Sequence, residues 1–193
     1  MRVTALGTLS RSGDSHFDIE VDGLHVERLT QLLEVEVVAE GHADLTLSVR
    51  GPAADPSITV HLEVLEPRYG GLSFSRVTAS LDYVGREATV QLDALDADRL
   101  VFGASGSVPV DLSLEDRETR FVRAPMDLTL SADSLDAAVA LSFFETLEDV
   151  VGYVTGRVRI RGTTESPEPN GVVALEGAAW SLEALGVRHS DVN

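Results

Sequence analysis

Five histidines, at 16, 25, 42, 61 and 189, have the widest chemical repertoire in this chain, as metal ligands or proton carriers. No two follow the His-x-x-x-His spacing that puts two imidazoles on one helix face, and none has a second ligand close by in sequence. They read as surface or strand-facing side chains. The stretch LDALDAD carries Asp93, Asp96 and Asp98. It lacks the glycine and the closing Glu of a calcium-binding EF-hand loop, so a solvated turn is the better reading. GASGS at 103–107 is not a G-x-S-x-G nucleophile elbow, because Gly106 falls one place too early; it reads as a tight strand-to-strand connection. Phosphate loops and dinucleotide fingerprints are absent from the sequence. With 32 acidic residues, carboxylate pairs are inevitable and argue nothing for acid–base catalysis. The absence of cysteine excludes disulfides, thiolate metal sites and Cys nucleophiles. The expectation is a protein that is not an enzyme and takes no cofactor or metal.

Composition narrows the alternatives. The chain has 193 residues, enough for one sizeable core, with 44% hydrophobic and 24% charged residues. Its net charge is −17, and all 15 basic residues are arginine. Such an excess of negative charge repels phosphate backbones and anionic membrane surfaces, and serves solubility. No run approaches the roughly 18–20 apolar residues of a spanning helix. The opening MRVTALGTLSRSG has no signal-peptide core and reads as the middle of a strand. The chain is therefore expected to be a piece of a longer protein whose export signal or anchor lies upstream.

The elements come from a period of two. Leu45, Leu47 and Val49 alternate with Asp44, Thr46, Ser48 and Arg50. Ile58, Val60, Leu62 and Val64 alternate with Thr59, His61 and Glu63, and Val77, Ala79, Leu81 and Tyr83 with Thr78, Ser80 and Asp82. Val108, Val110, Leu112 and Leu114 continue the pattern, as do Met126, Leu128 and Leu130, then Val158 and Ile160. Strand side chains point alternately to opposite faces, so this is an antiparallel sheet with one apolar and one polar face. GPAADP at 51–56, YGG at 69–71, VGR at 84–86 and SPEPNG at 166–171 mark turns. Pro109, Pro125 and Pro169 mark edges or strand ends. Residues 134–151 carry Leu135, Val139, Phe143 and Leu147 at i, i+4 spacing, with Phe144 and Val151 beside them, and predict a helix capped by Ser134 and stopped at Gly152. A weaker helical pattern covers 24–33. Phe143 and Phe144 either line a path or dock that helix; Trp180 and Tyr153 either finish the packing or anchor a partner.

An ungapped shift of 111 residues sets Asp22 on Asp133, Leu24 on Leu135, Gly41 on Gly152, Arg50–Gly51 on Arg161–Gly162 and Pro56 on Pro167. Leu62 then lies over Val173 and Val64 over Leu175. The identities fall on turn and cap positions, where backbone geometry restricts residue choice. The chain reads as one segment, 1–193, with an internal repeat at about 14–110 and 125–193, the second copy truncated.

The rows GHADLTLSVRGPAADPSITVHLEV and GYVTGRVRIRGTTESPEPNGVVALEGAAWSLEALGVRHSDVN, with GSVPVDLSL at 106–114, resemble the repeats of the TamB family, relatives of the AsmA-like proteins. Together they cover about residues 20–193, and their order carries the likeness more than any single motif. The first copy departs from the pattern where Thr59 and Val60 stand in place of the second copy's Gly171. The resemblance implies an all-β fold, a long antiparallel sheet curled into an open groove (a β-taco) with one or two short helices. It implies a periplasmic, inner-membrane-anchored full-length protein of the cell envelope. It also implies phospholipid transport toward the outer membrane, with an Omp85-type barrel as a further partner. On that reading Leu45, Leu47, Val49, Ile58, Val60, Leu62, Val64, Val77, Leu81, Val108, Val110, Leu112, Met126, Leu128, Leu130, Val158 and Ile160 line a lipid groove and face phospholipid acyl chains. The alternatives are a scaffold that binds outer-membrane strands by β-augmentation, and a spacer whose apolar faces bury each other.

Overall fold

Aliphatic and β-branched residues set singly between Thr, Ser and charged side chains favour a pleated, half-buried chain, and most of this sequence is built that way. A computed structural model describes residues 1–27, 39–69, 72–116, 119–137, 148–182 and 187–192. Twelve strands follow in order: β1 (Arg2–Thr8), β2 (Asp14–His25), β3 (Ala39–Pro52), β4 (Ser57–Tyr69), β5 (Leu72–Ser73), β6 (Arg76–Val84), β7 (Glu87–Asp96), β8 (Arg99–Pro109), β9 (Asp127–Asp136), β10 (Glu148–Gly162), β11 (Pro167–Leu182) and β12 (Val187–Val192). They form one antiparallel meander in which each strand pairs with its neighbours in sequence; β5 alone stands off this path, against β4. Among the described residues no ladder joins β1 to β12, so the sheet is open. The protein is all-β, as the alternation requires.

Helix is confined, among the described residues, to Val26, Glu27 and Ala137. The described ends of the two expected helices are largely strand. β2 runs through Leu24 to His25, β9 runs through Ser134 and Leu135 to Asp136, and β10 begins at Glu148. The rest of both, with Val139, Phe143, Phe144 and Leu147, lies outside the described residues. Leu135 faces the sheet because it pairs with Val154 as a strand residue, which also satisfies an i, i+4 reading.

Three local readings are corrected. GASGS is the interior of β8, not a connection. Gly106, at φ +146°, lies so close to β9 that a Cβ would collide with the Asp127 carbonyl; the glycine serves strand approach. SPEPNG is mostly β11, and the turn is Thr163–Ser166, closed by Ser166 N–H donating to Thr163 O at 3.1 Å. Pro167 and Pro169 lie where β11 pairs only with β10, as prolines in a ladder require. Asp93 belongs to β7, and only Ala97 and Asp98 form the turn to β8. Both have positive φ (46° and 65°), like Gly85 and Arg86 (59° and 65°) between β6 and β7, the geometry of two-residue type I′ hairpins.

Irregularities recur at an offset of 111 residues. The β2–β3 register shifts between Val21 and Leu24, and the β9–β10 register between Gly156 and Val154, opposite Ala132 and Leu135. At the bulge, Gly23 (φ +62°) donates its N–H to Asp44 Oδ1 at 2.7 Å; Ser134 (φ +54°) donates its N–H to Thr155 Oγ1 at 3.1 Å. Gly51 and Gly162 share φ values of 89° and 90°.

Gly106→Ala is expected to lower unfolding stability by more than about 2 kcal/mol, through backbone strain and collision with β9. Gly85→Ala has open space around it and only the left-handed backbone to oppose it, about 1 kcal/mol. Urea midpoints of the two variants check the order.

Candidate functional site

The register decides which side chains share a face. Leu45, Leu47 and Val49 of β3 stand opposite Leu62, Val60 and Ile58 of β4, and opposite Val21, Ile19 and Phe17 of β2. β4 hands the rows on: Ile58 to Tyr83, Val60 to Leu81, Leu62 to Ala79 and Val64 to Val77. β6 passes them to Ala88, Val90, Leu92 and Ala94 of β7, and these to Val108, Gly106, Ala104 and Phe102 of β8. Leu128 and Leu130 of β9 meet Gly106 and Ala104 on one side, Ile160 and Val158 on the other. One apolar face thus runs from β1 to β11 without a change of phase.

That face is concave over β6–β11. A pocket of about 440 Å³ is lined by Phe74, Val77, Leu92, Ala94, Phe102, Leu130, Ala132, Leu135, Val154, Val158 and Val173, with the glycine of Gly156 and with Ser131 as its one polar side chain. This size falls in the range of small-ligand sites. Of the seventeen residues expected on the groove, Val77, Leu130 and Val158 line it; Leu45, Leu47, Val49, Ile58, Val60, Leu62, Val64, Leu81, Val108, Leu128 and Ile160 share the face outside it. Val110, Leu112 and Met126 belong to no strand, which corrects the strand reading at those positions. The ladder ends at Pro109, and beyond it Val110 makes an isolated bridge with Phe121. Leu112 sits in a crossing arm, and Met126 donates its N–H to Gly162 O at 2.8 Å. The alternation at 108–114 is real in sequence but is spent on that arm. Sequence reasoning passed over β2 and β7, whose apolar faces (Phe17, Ile19 and Val21; Ala88, Val90, Leu92 and Ala94) carry the same period of two.

The arm covers one end of the apolar face. Leu112 N–H donates to Tyr83 Oη at 3.0 Å, Leu114 N–H to Ala53 O at 2.8 Å, and Val110 N–H to Arg86 O at 3.0 Å. Tyr83 is 1% exposed beneath it, and Pro56, Ala53 and Ala88 are buried nearby. Arg120 holds the arm's shape by donating to the carbonyls of Asp111, Ser113 and Glu115. A guanidinium satisfies three carbonyls that have left the ladder.

The opposite face is ionic. A second depression of about 430 Å³ there is lined by Asp22, Asp44, Glu63 and Asp93 with His61, Thr46, Thr78, Ser80 and Gln91, and also touches Val21, Leu45, Leu62 and Ala79. Gln91 donates to Asp93 at 2.8 Å, and Asp96 and Asp98 lie at the strand end. Among the described residues no three His, Asp or Glu side chains are grouped to hold a metal. Cross-strand ion pairs stitch this face. Arg50 binds Asp18 through Nη2 at 2.7 and 2.8 Å; Arg159 binds Asp127 through Nε at 2.6 Å and again through Nη2. Hydrogen bonds from these arginines hold the Asp18 and Asp127 carboxyls below the usual carboxylate range, against a smaller desolvation effect. Tyr153 is 56% exposed on this face, between Asp136 and Glu176. The side chains of Trp180 and His189 lie outside the description.

No protein-family model, no curated protein and no solved structure matches this chain. Among the described residues no helix is long and apolar enough to cross a membrane.

Two outcomes are expected. Tyr83→Phe leaves the Leu112 N–H without its acceptor and costs about 1 kcal/mol; hydrogen exchange at that amide should accelerate more than at amides of β9. A depressed folded pKa gives stability that is complete above the unfolded carboxylate value, about 4, and is lost as pH falls through the lower folded value. Asp127→Asn should therefore flatten the fall in urea midpoint between about pH 5 and pH 3, by a small amount because the pair is exposed.

Proposed function

We propose that this chain is a segment of a TamB-like envelope protein whose apolar groove carries phospholipid acyl chains between the inner and outer membranes. The observation that carries the reading is the pocket on the open face, walled by aliphatic and aromatic side chains on β6–β11. A hydrocarbon chain matches a lining that offers it almost no hydrogen-bonding groups, and burial stabilises it by about 0.8 kcal/mol per CH₂. The arm over Tyr83 fits a groove in which one lip is covered and the middle is left for cargo. The repeat resemblance supplies the envelope setting and an Omp85-type barrel as a further partner. For the β-augmentation reading, Pro167 and Pro169 withhold N–H groups along the stretch of β11 that pairs on one side only, while the edge strand β1, without proline, keeps its own.

The chain should retain phospholipid after gentle purification, detected by extraction and mass spectrometry. Leu92→Asp with Leu130→Asp and Val158→Asp should remove it while the β circular dichroism persists; Thr129→Asp, one residue away on the ionic face, should not. A folded, monodisperse parent free of lipid, or equal loss in the Thr129 variant, overturns the reading.

A further inference from the structure

Register achieves what sequence spacing does not: it puts two imidazoles face to face. His25 of β2 pairs with His42 of β3, and their ring centroids lie 4.6 Å apart at 58°. Two imidazoles bound to one ion through nitrogens about 2.0–2.1 Å from it have centroids roughly 5 Å apart, close to the separation seen here. Both residues are exposed, leaving room for an ion and its waters. Their positions are set by the backbone. The bulge between Val21 and Leu24, tied by Gly23 N–H to Asp44, brings His25 into register, and a second irregularity between Glu40 and His42 flanks the other ring. Asp44, two residues after His42, adds negative potential to a chain that already carries −17, while Glu40 on the other side is paired with Arg68 at 3.5 Å.

We propose that His25 and His42 form a two-imidazole site for a divalent transition-metal cation of the copper, nickel or zinc class, with water completing the coordination. Imidazole suits these metals, with copper bound most tightly. The ion would staple β2 to β3 beside the bulge. The site belongs to the first copy alone, since the pair 111 residues on is Asp136 and Tyr153.

The test titrates the metal-free chain with CuCl₂ and with NiCl₂ by calorimetry. His25→Asn and His42→Asn should each weaken binding about tenfold or more, while His61→Asn leaves it unchanged. Saturating metal should raise the thermal midpoint of the parent and not of the double variant. A measurement that needs no variant uses substoichiometric Cu²⁺, which should broaden the imidazole resonances of His25 and His42 first. Broadening led by His16, His61 or His189, equal loss in the His61 variant, or no binding by the parent overturns the proposal.

Discussion

Everything in this fold depends on keeping one phase of alternation across the successive ladders of a twelve-stranded sheet. A one-residue slip anywhere would turn a strand's apolar side chains to the ionic face. The phase is held by register and repaired by bulges. Val21 and Leu24 are three apart, an odd spacing that would put them on opposite faces of a regular strand. The bulge at Gly23 absorbs one residue, so both pair into the apolar face, opposite Leu45 and Ala43. The bulge at Ser134 does the same for Ala132 and Leu135. Each bulge needs a residue with positive φ and a side-chain acceptor one strand over, and the Gly23–Asp44 and Ser134–Thr155 pairs supply both.

A single sheet with one phase has an energetic consequence. In a sandwich the apolar faces of two sheets bury each other; here the face is covered at one end by the arm between β8 and β9 and is otherwise hollowed only by the pocket on β6–β11. The ionic face adds little, since exposed cross-strand pairs contribute at most about 1 kcal/mol each. Stability therefore rests on the ladders and on contacts between neighbouring strands, as in other quasi-one-dimensional folds. Charge serves a second end: ions on one face and aliphatics on the other discourage stacking of the sheet on the wrong side.

The strands that were legible in sequence were those whose apolar positions carry large side chains. β3 and β4 carry unbroken runs of Leu, Val and Ile at every second place (Leu45, Leu47, Val49; Ile58, Val60, Leu62, Val64), β6 adds Val77, Leu81 and Tyr83, and these faces read directly. β7 was harder because two of its four inward residues, Ala88 and Ala94, are small, and β2 because its bulge breaks the period at Gly23. β8 was misread because Gly103 and Gly106 look like a turn, whereas Gly106 is required by the close approach of β9. Val110 and Leu112 satisfied the alternation and still left the sheet, since Pro109 ends the ladder and Tyr83 and Ala53 offer the arm other partners. For the candidate site this meant that the apolar face could be read while its deepest part could not. The pocket gathers Phe74, Phe102, Leu135 and Val154, whose convergence depends on the curvature of the sheet. The His25–His42 pair was invisible for a related reason: they stand seventeen positions apart in sequence, and only a bulge sets their register.

The chemistry of the pocket bears on what any hydrocarbon occupant would experience. Apolar burial is non-directional and scales with area. A wall of Val, Leu, Ala and Phe, with Ser131 as its one polar side chain, therefore rewards the length of an alkyl chain and is indifferent to its head group. Small residues on the same rows, Ala79, Ala104, Ala132 and Gly156, keep the wall low and free of knobs that would fix a chain at one depth. Tight recognition needs the reverse: a few placed polar groups that are left unpaired by the wrong ligand. Polar groups of that kind sit on the far face, among them the Arg50–Asp18 and Arg159–Asp127 pairs and the His25–His42 pair. On the proposed reading, such a wall would suit passage along the sheet better than capture at one point, and the alternation that folds the chain is what separates the two faces.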